Sequence, residues 1–336
     1  MTNRHATVVI IGGGHSGLAM SKQLTDRGVD HVVLEQGDVA DSWTTQRWDS
    51  FTLLTPRWQT RLPGVSYDGD DPDGFMDRAE IVAFIRGYAE IIDAPVFTHT
   101  RVEAVRPAEP GYAVTTNEGT WRCEFVVVAA GAHRLAGVPA FAAAVPEHVA
   151  SVNPLAYRHP DELPDGGVLV IGAASTGIQL ANEIHASGRP VTIAVGEHVR
   201  MPRTYRGRDI QHWMEAIGRL DERYDEVEEI LRARGVASPQ LVGTADRTTL
   251  DLNRLTDSGV ELRGRVGAIR DGVVLFSGGL GNNCALADQK QTDCSRRSTR
   301  GSTTKVWVAK WRRPSAASRP GSPRTRRSPL TCAVAR

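Results

Sequence analysis

Hydrophobic residues along the chain fall into short continuous runs, which are separated by glycine-rich turns and amphipathic stretches. The run Val8–Ile11 leads into such a turn, an amphipathic stretch to Gly28 and a second apolar run, His31–Leu34. Residues 168–195 repeat this order without a gap. Because buried parallel strands read as continuous apolar runs, each copy predicts a strand, a helix and a second, parallel strand.

Each copy carries a glycine-rich turn of the kind that binds nucleotides. The first turn, Gly12–Gly17, reads GGGHSG, and the second, Gly172–Gly177, reads GAASTG. Such turns let the backbone reach a pyrophosphate at the N-terminus of the following helix. The sequence therefore predicts an α/β fold with two Rossmann-like dinucleotide sites. A plain structural β-α-β unit is the alternative, more so for the second copy, whose middle glycine is replaced by Ala174.

The residue that ends the second strand differs between the copies. In the first copy it is Glu35, whose carboxylate can accept hydrogen bonds from ribose hydroxyls. In the second it is Val195, followed by arginines at positions 200, 203, 206 and 208. Because a carboxylate would repel a 2′-phosphate, we predict an unphosphorylated adenosine ribose at the first site and NADPH at the second. A solvated arginine loop, or Glu197 turned toward a ribose, remains the alternative.

The segments between the copies predict a loop, a helix and a β-meander. Residues 41–56 are irregular and aromatic, and we expect them to wrap the rest of the first dinucleotide, unless they are a packed surface loop. Asp77 with Glu80 resembles a capping box that opens a helix, with apolar positions 81, 84, 85, 88, 91 and 92. Strands are predicted over residues 96–105, 112–116 and 120–125.

A wholly apolar strand follows the meander and ends at Gly131, where the backbone can approach a cofactor or cross between domains. Residues 208–236 read as a charged, solvated helix. Residues 260–262 and 273–276 read as short strands.

Composition is that of a soluble globular protein of about two domains. Of the 336 residues, 40% are hydrophobic and 24% are charged. No apolar run approaches the roughly 18 residues of a membrane span, and a strand begins near the N-terminus without a signal peptide, so a cytoplasmic protein is expected. The four cysteines form no C-x-x-C pair, which argues against a structural zinc site and a redox-active dithiol.

Charge is distributed unevenly along the chain. Residues 294–336 contain ten Arg, two Lys and no acid, although the whole chain has a net charge of +1. The first 293 residues therefore carry a net charge of −11. Residues 294–336 are also poor in apolar residues, so we expect this segment to be a disordered basic tail.

With two dinucleotide units around a meander, the chain resembles the flavoproteins with two dinucleotide-binding domains. More narrowly, it resembles the flavin-containing monooxygenase-like and YUCCA-like branch, including its bacterial flavoprotein oxidoreductases. The motif Trp43-x-x-x-Arg47-Trp48-Asp49-Ser50, the following Leu54-Thr55-Pro56 and the segment 203–210 carry this resemblance. It covers roughly residues 5–288.

The resemblance implies an FAD- and NADPH-dependent oxidoreductase of the monooxygenase type, acting on a small molecule and O2. NADPH would pass a hydride to FAD, and a flavin hydroperoxide would then oxygenate the substrate. No catalytic side chain and no metal site are assigned. The expected FAD-binding residues are Gly12, Gly14, His15, Ser16, Gly17, Glu35, Gln36, Trp43, Arg47, Trp48 and Gly131. The expected NADPH-binding residues are Gly172, Ala174, Ser175, Thr176, Gly177, Arg200 and Arg203.

The sequence departs from the family pattern at two places. The linker motif F-x-G-x-x-x-H-x-x-x-[WY] is incomplete, because Asn153 stands where histidine would be, counted back from Tyr157. The family's final strand, with a Gly-Asp turn that holds the flavin ribityl chain, has no counterpart after Leu280. A shifted reading frame near Lys290 would explain this truncation. A genuine basic tail that binds nucleic acid or an acidic partner is the alternative, and we expect no nucleic-acid partner.

The predicted organisation is an FAD-binding domain over residues 1–150, completed in part by residues 264–288, an NADP-binding domain over residues 160–263, and the tail over residues 289–336. Three rival functions remain. A disulfide reductase would need the dithiol that the sequence lacks. A non-oxygenating NADPH oxidase fits the missing histidine, and a truncated remnant without FAD would be inactive.

Overall fold

The computed structural model describes residues 3–131, 135–301 and 330–334. Their contacts divide the chain into two compact units. The first unit takes residues 1–51, 57–72 and 76–136, and the second takes residues 52–56, 73–75 and 137–336. Residues 264–288 group with the second unit. The predicted domain boundaries stay a prediction.

Two sheets built around parallel strands, together with helices, confirm the predicted α/β class. To residue 131 the elements are β1 (Asn3–Ile11), α1 (His15–Thr25), β2 (His31–Leu34), α2 (Asp41–Thr45), β3 (Thr52–Pro56), β4 (Arg61–Leu62), β5 (Val65–Ser66), β6 (Phe75–Asp77), α3 (Arg78–Ile91), β7 (Val96–Phe97), β8 (Val102–Pro107), β9 (Tyr112–Thr116) and β10 (Gly119–Val128). Short 3-10 turns span Arg57–Gln59, Ala140–Ala144 and Pro160–Glu162.

The remaining elements belong to the second unit. They are β11 (Ser151–Val152), β12 (Gly167–Ile171), α4 (Ser175–Ala186), β13 (Val191–Val195), β14 (Val199–Arg200), β15 (Thr204–Tyr205), β16 (Arg208–Asp209), α5 (Ile210–Ala216), α6 (Ile230–Arg234), β17 (Pro239–Gln240), α7 (Leu252–Ser258), β18 (Glu261–Gly264), β19 (Val266–Arg270), β20 (Val273–Phe276), α8 (Leu280–Gly301) and β21 (Leu330–Val334).

The first unit is built on a six-stranded sheet in the order β7-β2-β1-β10-β9-β8. β1 pairs in parallel with β2 on one side and with β10 on the other. Its side chains point alternately to the two faces, so that Val9 packs with Trp121 on one face and Val8 with Val33 on the other. Both faces of the central strand are therefore core, as the apolar run predicts.

Strand β10 joins two segments that the sequence separates. Residues 120–125 were predicted as the last meander strand and residues 126–131 as a new strand, but Gly119–Val128 is one continuous strand. The first half of β10 pairs with β9, while β1 pairs with β10 as far as Val128. Phe125 and Val128 stay 59% and 75% exposed. The predicted break falls shortly after the pairing with β9 ends at Cys123, and it does not interrupt the strand, because the pairing with β1 continues to Val128.

Helix α3 confirms the capping box at its N-terminus. The Asp77 side chain accepts a hydrogen bond from the Glu80 amide, and the Glu80 carboxylate accepts one from the Asp77 amide. Ile81, Ile85 and Tyr88 form the buried face. Ile91, predicted for the same face, ends the helix and is 67% exposed. The helical spacing therefore holds over about two turns and fails at the terminal residue.

The second unit is built on a parallel sheet in the order β11-β21-β12-β13-β18. β21 pairs with β12 from Leu330 opposite Gly167 to Val334 opposite Ile171. Within the segment expected to be a disordered tail, the structure describes residues 289–301, which continue helix α8, and β21. Residues 330–334 read LTCAV, a short apolar run inside a polar segment, and an apolar run of this length suits a buried strand. Residues 302–329 of the predicted tail lie outside the described residues.

The prediction of one long helix over residues 208–236 is wrong. Two short helices, α5 and α6, occupy its ends. Gly218, at φ +71°, has left-handed backbone that ends the first of them after Ile217. The many charged residues between them gave the predicted helix no apolar stripe to bury, and such a stripe supplies most of a helix's stability.

Candidate functional site

The turn between β1 and α1 brings backbone amides to the carboxyl end of the first sheet. Gly12 has φ +112°, in the region that favours glycine. A Cβ at Gly12 would lie 2.5 Å from the carbonyl oxygen of Ala129. A Cβ at Gly17 would lie 1.9 Å from the carbonyl oxygen of Gly12. The fold itself therefore requires glycine at both positions.

Gly14 has no such constraint within the protein. It is the N-cap of α1 with extended backbone, at φ −86° and ψ −178°. Among the residues that the structure describes, no atom outside Gly14, its chain neighbours and the backbone of α1 lies within 4 Å of the position that a Cβ would take. This open space stands at the N-terminus of an 11-residue helix, where free N–H groups and the helix dipole favour an anion. A pyrophosphate group fits this cradle.

Glu35 directly follows β2 and lies against the same turn. Its Oε2 accepts a hydrogen bond of 2.6 Å from the Gly13 amide, and its Oε1 accepts one of 3.2 Å from the Gly37 amide. A carboxylate has about four lone-pair sites, so acceptor capacity is left beside the cradle. This is the position from which a carboxylate can accept hydrogen bonds from ribose hydroxyls.

A guanidinium lies beside two aromatic rings near this turn. The Arg47 Cζ lies 5.0 Å from the Trp43 ring centroid and 5.9 Å from that of Phe51. Its Nη1 donates to the carbonyl oxygen of Gln46 at 2.7 Å. Burial lowers the pKa of Arg47. Because arginine titrates far above neutral pH, the group stays cationic and can attract an anionic ligand.

A cavity of about 370 Å³ opens among these groups. Ligand pockets usually measure about 300–1,000 Å³. The cavity wall includes nine of the predicted FAD-binding residues: Gly12, Gly14, His15, Ser16, Glu35, Gln36, Trp43, Arg47 and Gly131. Their roles toward FAD stay predictions.

The other two predicted FAD-binding residues, Gly17 and Trp48, are buried and absent from this wall. Gly17 packs against the carbonyl of Gly12, and Trp48 packs edge-on against Phe51 with ring centroids 5.0 Å apart. Both therefore support the wall through packing. The loop predicted to wrap the dinucleotide is divided in the same way, since residues 41–51 belong to the first unit and residues 52–56 to the second.

The sequence analysis missed the segment after β7. The Thr100 amide donates to the carbonyl oxygen of Glu35 at 2.7 Å, which brings Thr100, Arg101 and Val102 to the cavity wall. Predicting one strand over residues 96–105 hid this turn. The position of this segment directly after a parallel strand could have indicated its role, because loops that follow parallel strands line the ligand crevice of such sheets.

The second turn repeats the backbone of the first. Gly172 has the same φ of +112° as Gly12. Ala174, the N-cap of α4, has φ −81° and ψ −175°, close to the values at Gly14. The methyl group of Ala174 therefore takes the place that is open in the first turn. Thr176 is half-buried, and Gly177 is buried at the start of the helix.

Ser175 and the second turn are tied to the segment around β17. The Ser175 Oγ donates to the carbonyl oxygen of Pro239 at 2.6 Å. The Gln240 Nε2 donates to the carbonyl oxygen of Ala173 at 2.7 Å. The Ser175 hydroxyl proton is thus already engaged, and its oxygen could still accept a hydrogen bond.

Arg200 is held by two carboxylates. Its Nη2 donates to Asp251 at 2.7 Å, and its Nη1 donates to Asp288 at 2.8 Å. Burial alone would lower the pKa of Arg200, but the hydrogen bonds and charges of both carboxylates outweigh it and raise the pKa. Its predicted contact with NADPH stays a prediction that would require breaking these pairs.

Arg203 has a different position from the predicted one. It is 1% exposed, with its Cζ 4.8 Å from the Phe75 ring centroid. Its Nη1 donates to the carbonyl oxygen of Leu54 at 2.7 Å, and its Nη2 donates to Asp209 at 2.6 Å. Burial lowers the pKa of Arg203, which the Asp209 carboxylate opposes. The guanidinium binds internal acceptors of the second unit, and its predicted contact with NADPH stays a prediction.

Asn153, which stands at the position of the family's linker histidine, forms a turn. Its Oδ1 accepts a hydrogen bond of 3.0 Å from the Leu155 amide. Its carbonyl oxygen accepts hydrogen bonds from the amides of Ala156 and Tyr157, both at 3.0 Å. These contacts give Asn153 a local structural role.

Comparison with known proteins places this geometry in a family. Residues 9–236 match the family model described as pyridine nucleotide-disulphide oxidoreductase. An uncharacterized CzcO-like oxidoreductase from Geobacillus kaustophilus is 33% identical over 216 residues, which cover 64% of this chain and 61% of that protein. Indole-3-pyruvate monooxygenase YUCCA6 from Arabidopsis thaliana is 28% identical over 214 residues, which cover 59% of this chain and 50% of that protein.

Among solved structures, the flavin-containing monooxygenase from Stenotrophomonas maltophilia is similar with a TM-score of 0.53 and 20% identity. The match covers 88% of this chain and 99% of that one, and it confirms the fold. The chain spans only about half to three-fifths of the length of the curated relatives. None of the helices that the structure describes is long and apolar enough to cross a membrane.

Proposed function

The chain belongs to the pyridine nucleotide-disulphide oxidoreductase family, and from this premise we propose that it is a flavoprotein oxidoreductase that binds FAD at the first turn and oxidises NADPH at the second. One observation carries the proposal. The cavity joins an open helix N-terminus at Gly14, the acceptor Glu35 and the cation Arg47 within one wall. These are the groups that a pyrophosphate and an unphosphorylated ribose require.

The chain's own residues bind and orient the two nucleotides. The amides at the start of α1 hold the FAD pyrophosphate, and Glu35 accepts hydrogen bonds from the ribose hydroxyls. Arg47, stacked against Trp43, adds a fixed positive charge beside the anion. When bound, FAD supplies the chemistry, since it accepts a hydride and its reduced form reacts with O2. No protein nucleophile is required.

The difference between the turns fits two different modes of binding. At Gly14 the backbone can approach a pyrophosphate without a side chain between them. At Ala174 the methyl group keeps the ligand further from the amides. The first site therefore suits a tightly held FAD, and the second suits a coenzyme that must leave after each turnover.

The purified chain is expected to carry the visible absorbance of oxidised flavin, or to acquire it when FAD is added. NADPH added under nitrogen should bleach this absorbance, because the hydride reduces the flavin, and air should restore it. The measurement is an anaerobic titration in a spectrophotometer, with heat-denatured protein as the control. A colourless protein that takes up no FAD would contradict the proposal and would favour the truncated remnant.

We propose that oxygen from O2 is transferred to a small-molecule substrate, as the monooxygenase names of the relatives suggest. A non-oxygenating NADPH oxidase is the second candidate. The turn at Asn153 favours this candidate, because its side chain caps a local turn in place of the family's linker histidine.

The fate of the oxygen distinguishes the two candidates. For an oxidase we expect one molecule of hydrogen peroxide for each NADPH consumed, whatever small molecule is added. For a monooxygenase, a suitable amine, sulfide or ketone should lower the peroxide yield while NADPH consumption continues. Peroxide assays with and without a panel of such compounds make this measurement, and catalase serves as the control for the assay.

A further inference from the structure

The second sheet alone indicates which residues would lie beside the 2′-phosphate of a nucleotide bound at the second glycine-rich turn. The Gly172 amide donates to the carbonyl oxygen of Ala194 at 3.1 Å, so the glycine-rich turn and the end of β13 share one edge. The ribose of a dinucleotide lies at this strand end, where a carboxylate reads a 2′-hydroxyl or an arginine accommodates a 2′-phosphate. Here the strand ends in Val195 and Gly196, neither of which can bind a phosphate through its side chain.

The neighbouring strand supplies an arginine at this point. β13 pairs with β18 through Val195 opposite Gly264, and the next residues, Gly196 and Arg265, lie side by side. The Cγ and Cδ of Arg265 lie 3.9 Å from the position that a Cβ of Gly196 would take. The aliphatic part of the Arg265 side chain therefore lies beside Gly196, at the end of β13. The residues of β13 have no side chain there that could bind a phosphate.

Three other arginines of the second unit are already engaged. Arg200 and Arg203 are bound to carboxylates, and Arg263 donates to Glu261. Burial lowers the pKa of His198, and its Nδ1 lies 3.0 Å from the carbonyl oxygen of Gly196. Arg265 is exposed and forms no ion pair with any residue that the structure describes.

We propose that Arg265 binds the 2′-phosphate of NADPH, in the role that the sequence assigned to Arg200 and Arg203. The inference rests on the proposed function and names the residue that selects its coenzyme. A planar guanidinium can donate two parallel hydrogen bonds to a phosphate. The exposed carboxylate of Glu197, next to Gly196, repels the same phosphate, so a cation is needed to offset it.

The test is calorimetric titration of the full chain with NADP⁺ and NAD⁺, which measures binding without turnover. We expect Arg265→Ala to raise the Kd for NADP⁺ about 10- to 100-fold and to change the Kd for NAD⁺ less than about twofold. Unchanged NAD⁺ binding also demonstrates that the variant is folded. Arg265→Lys should recover part of the affinity, since it keeps the charge and loses the paired geometry.

Arg270→Ala is the matched control, because it removes the same charge from an exposed position five residues further along. It should leave both dissociation constants unchanged. Equal NADP⁺ affinity in the Arg265→Ala and native chains would overturn this inference while leaving the proposed function intact. A native chain that binds neither nucleotide would overturn the proposed function, and this inference with it.

Discussion

Replacing Gly17 by alanine is expected to lower the free energy of unfolding by at least about 3 kcal/mol, whether or not flavin is bound. The new Cβ would lie 1.9 Å from the carbonyl oxygen of Gly12, which is backbone and cannot swing aside. Relief requires α1 to move away from β1, and this movement would open the packing of Leu18, which is fully buried behind the turn. Urea unfolding followed by circular dichroism measures the loss.

Gly14→Ala is the matched variant with the opposite expectation. Because its Cβ would meet no atom within 4 Å and its backbone is extended, the apoprotein should keep its stability within about 1 kcal/mol. FAD affinity should fall at least about tenfold, since the methyl group takes the space of the pyrophosphate. The first turn would then resemble the second, where Ala174 occupies this place.

Gly28→Ala controls for the general effect of removing a glycine. Gly28 has φ +65° and open space around it, so alanine there should cost about 1 kcal/mol through backbone strain alone and leave FAD binding unchanged. If Gly14→Ala unfolded the chain as Gly17→Ala does, the open cradle would be disproved. If Gly14→Ala retained native FAD affinity, the pyrophosphate would have to bind elsewhere.

The two nucleotide turns could be predicted from the sequence because their residues are fixed by local geometry. Gly12 and Gly172 share φ +112°, which only glycine adopts at little cost, and an apolar strand precedes each of them. The carboxylate at Glu35 follows from the same local rule. Backbone constraints within about 30 residues therefore specified the geometry of the first glycine-rich turn.

The roles of the arginines could not be predicted, because their partners are distant in the chain. Arg200 binds Asp251 and Asp288, which are 51 and 88 residues away. A run of arginines after a strand is compatible both with phosphate binding and with internal ion pairs. Only the fold decides between them, since it determines which carboxylates reach each guanidinium. Arg265 was missed for the same reason, as it reaches Gly196 through strand pairing.

Composition describes the C-terminal segment only as a whole, because it averages over position. The basic tail as a whole has too few apolar residues for a core, yet residues 330–334 form a strand beside β12. The sequence analysis found no counterpart of the family's final strand after Leu280, and β21 belongs to the second unit. The shifted reading frame stays a prediction, which sequencing of the coding DNA would test.

Arg203→Ala is expected to lower the free energy of unfolding by about 3–5 kcal/mol, because it leaves Asp209 as a buried charge without its cation. The side chain is 1% exposed, and it also donates to the carbonyl oxygen of Leu54. Arg203→Lys should rescue little, since an ammonium group cannot serve both acceptors in the planar geometry of a guanidinium. Thermal and urea unfolding of the full chain measure these losses.

The double variant Arg203→Ala with Asp209→Asn separates the ion pair from the packing around it. Removing the negative charge as well should recover a large part of the loss, since the unpaired carboxylate is its main source. The side-chain oxygen of the new asparagine can still accept the hydrogen bond of 2.8 Å that the Gln211 amide donates to Asp209, so α5 keeps its cap. If Arg203 instead binds NADPH, as its sequence position suggested, Arg203→Ala would weaken NADP⁺ binding selectively. The urea concentration at its unfolding midpoint would then stay close to that of the native chain. A large loss of stability with unchanged discrimination between NADP⁺ and NAD⁺ would identify Arg203 as a structural residue of the second unit, and would leave coenzyme selection to Arg265, the exposed arginine that follows β18.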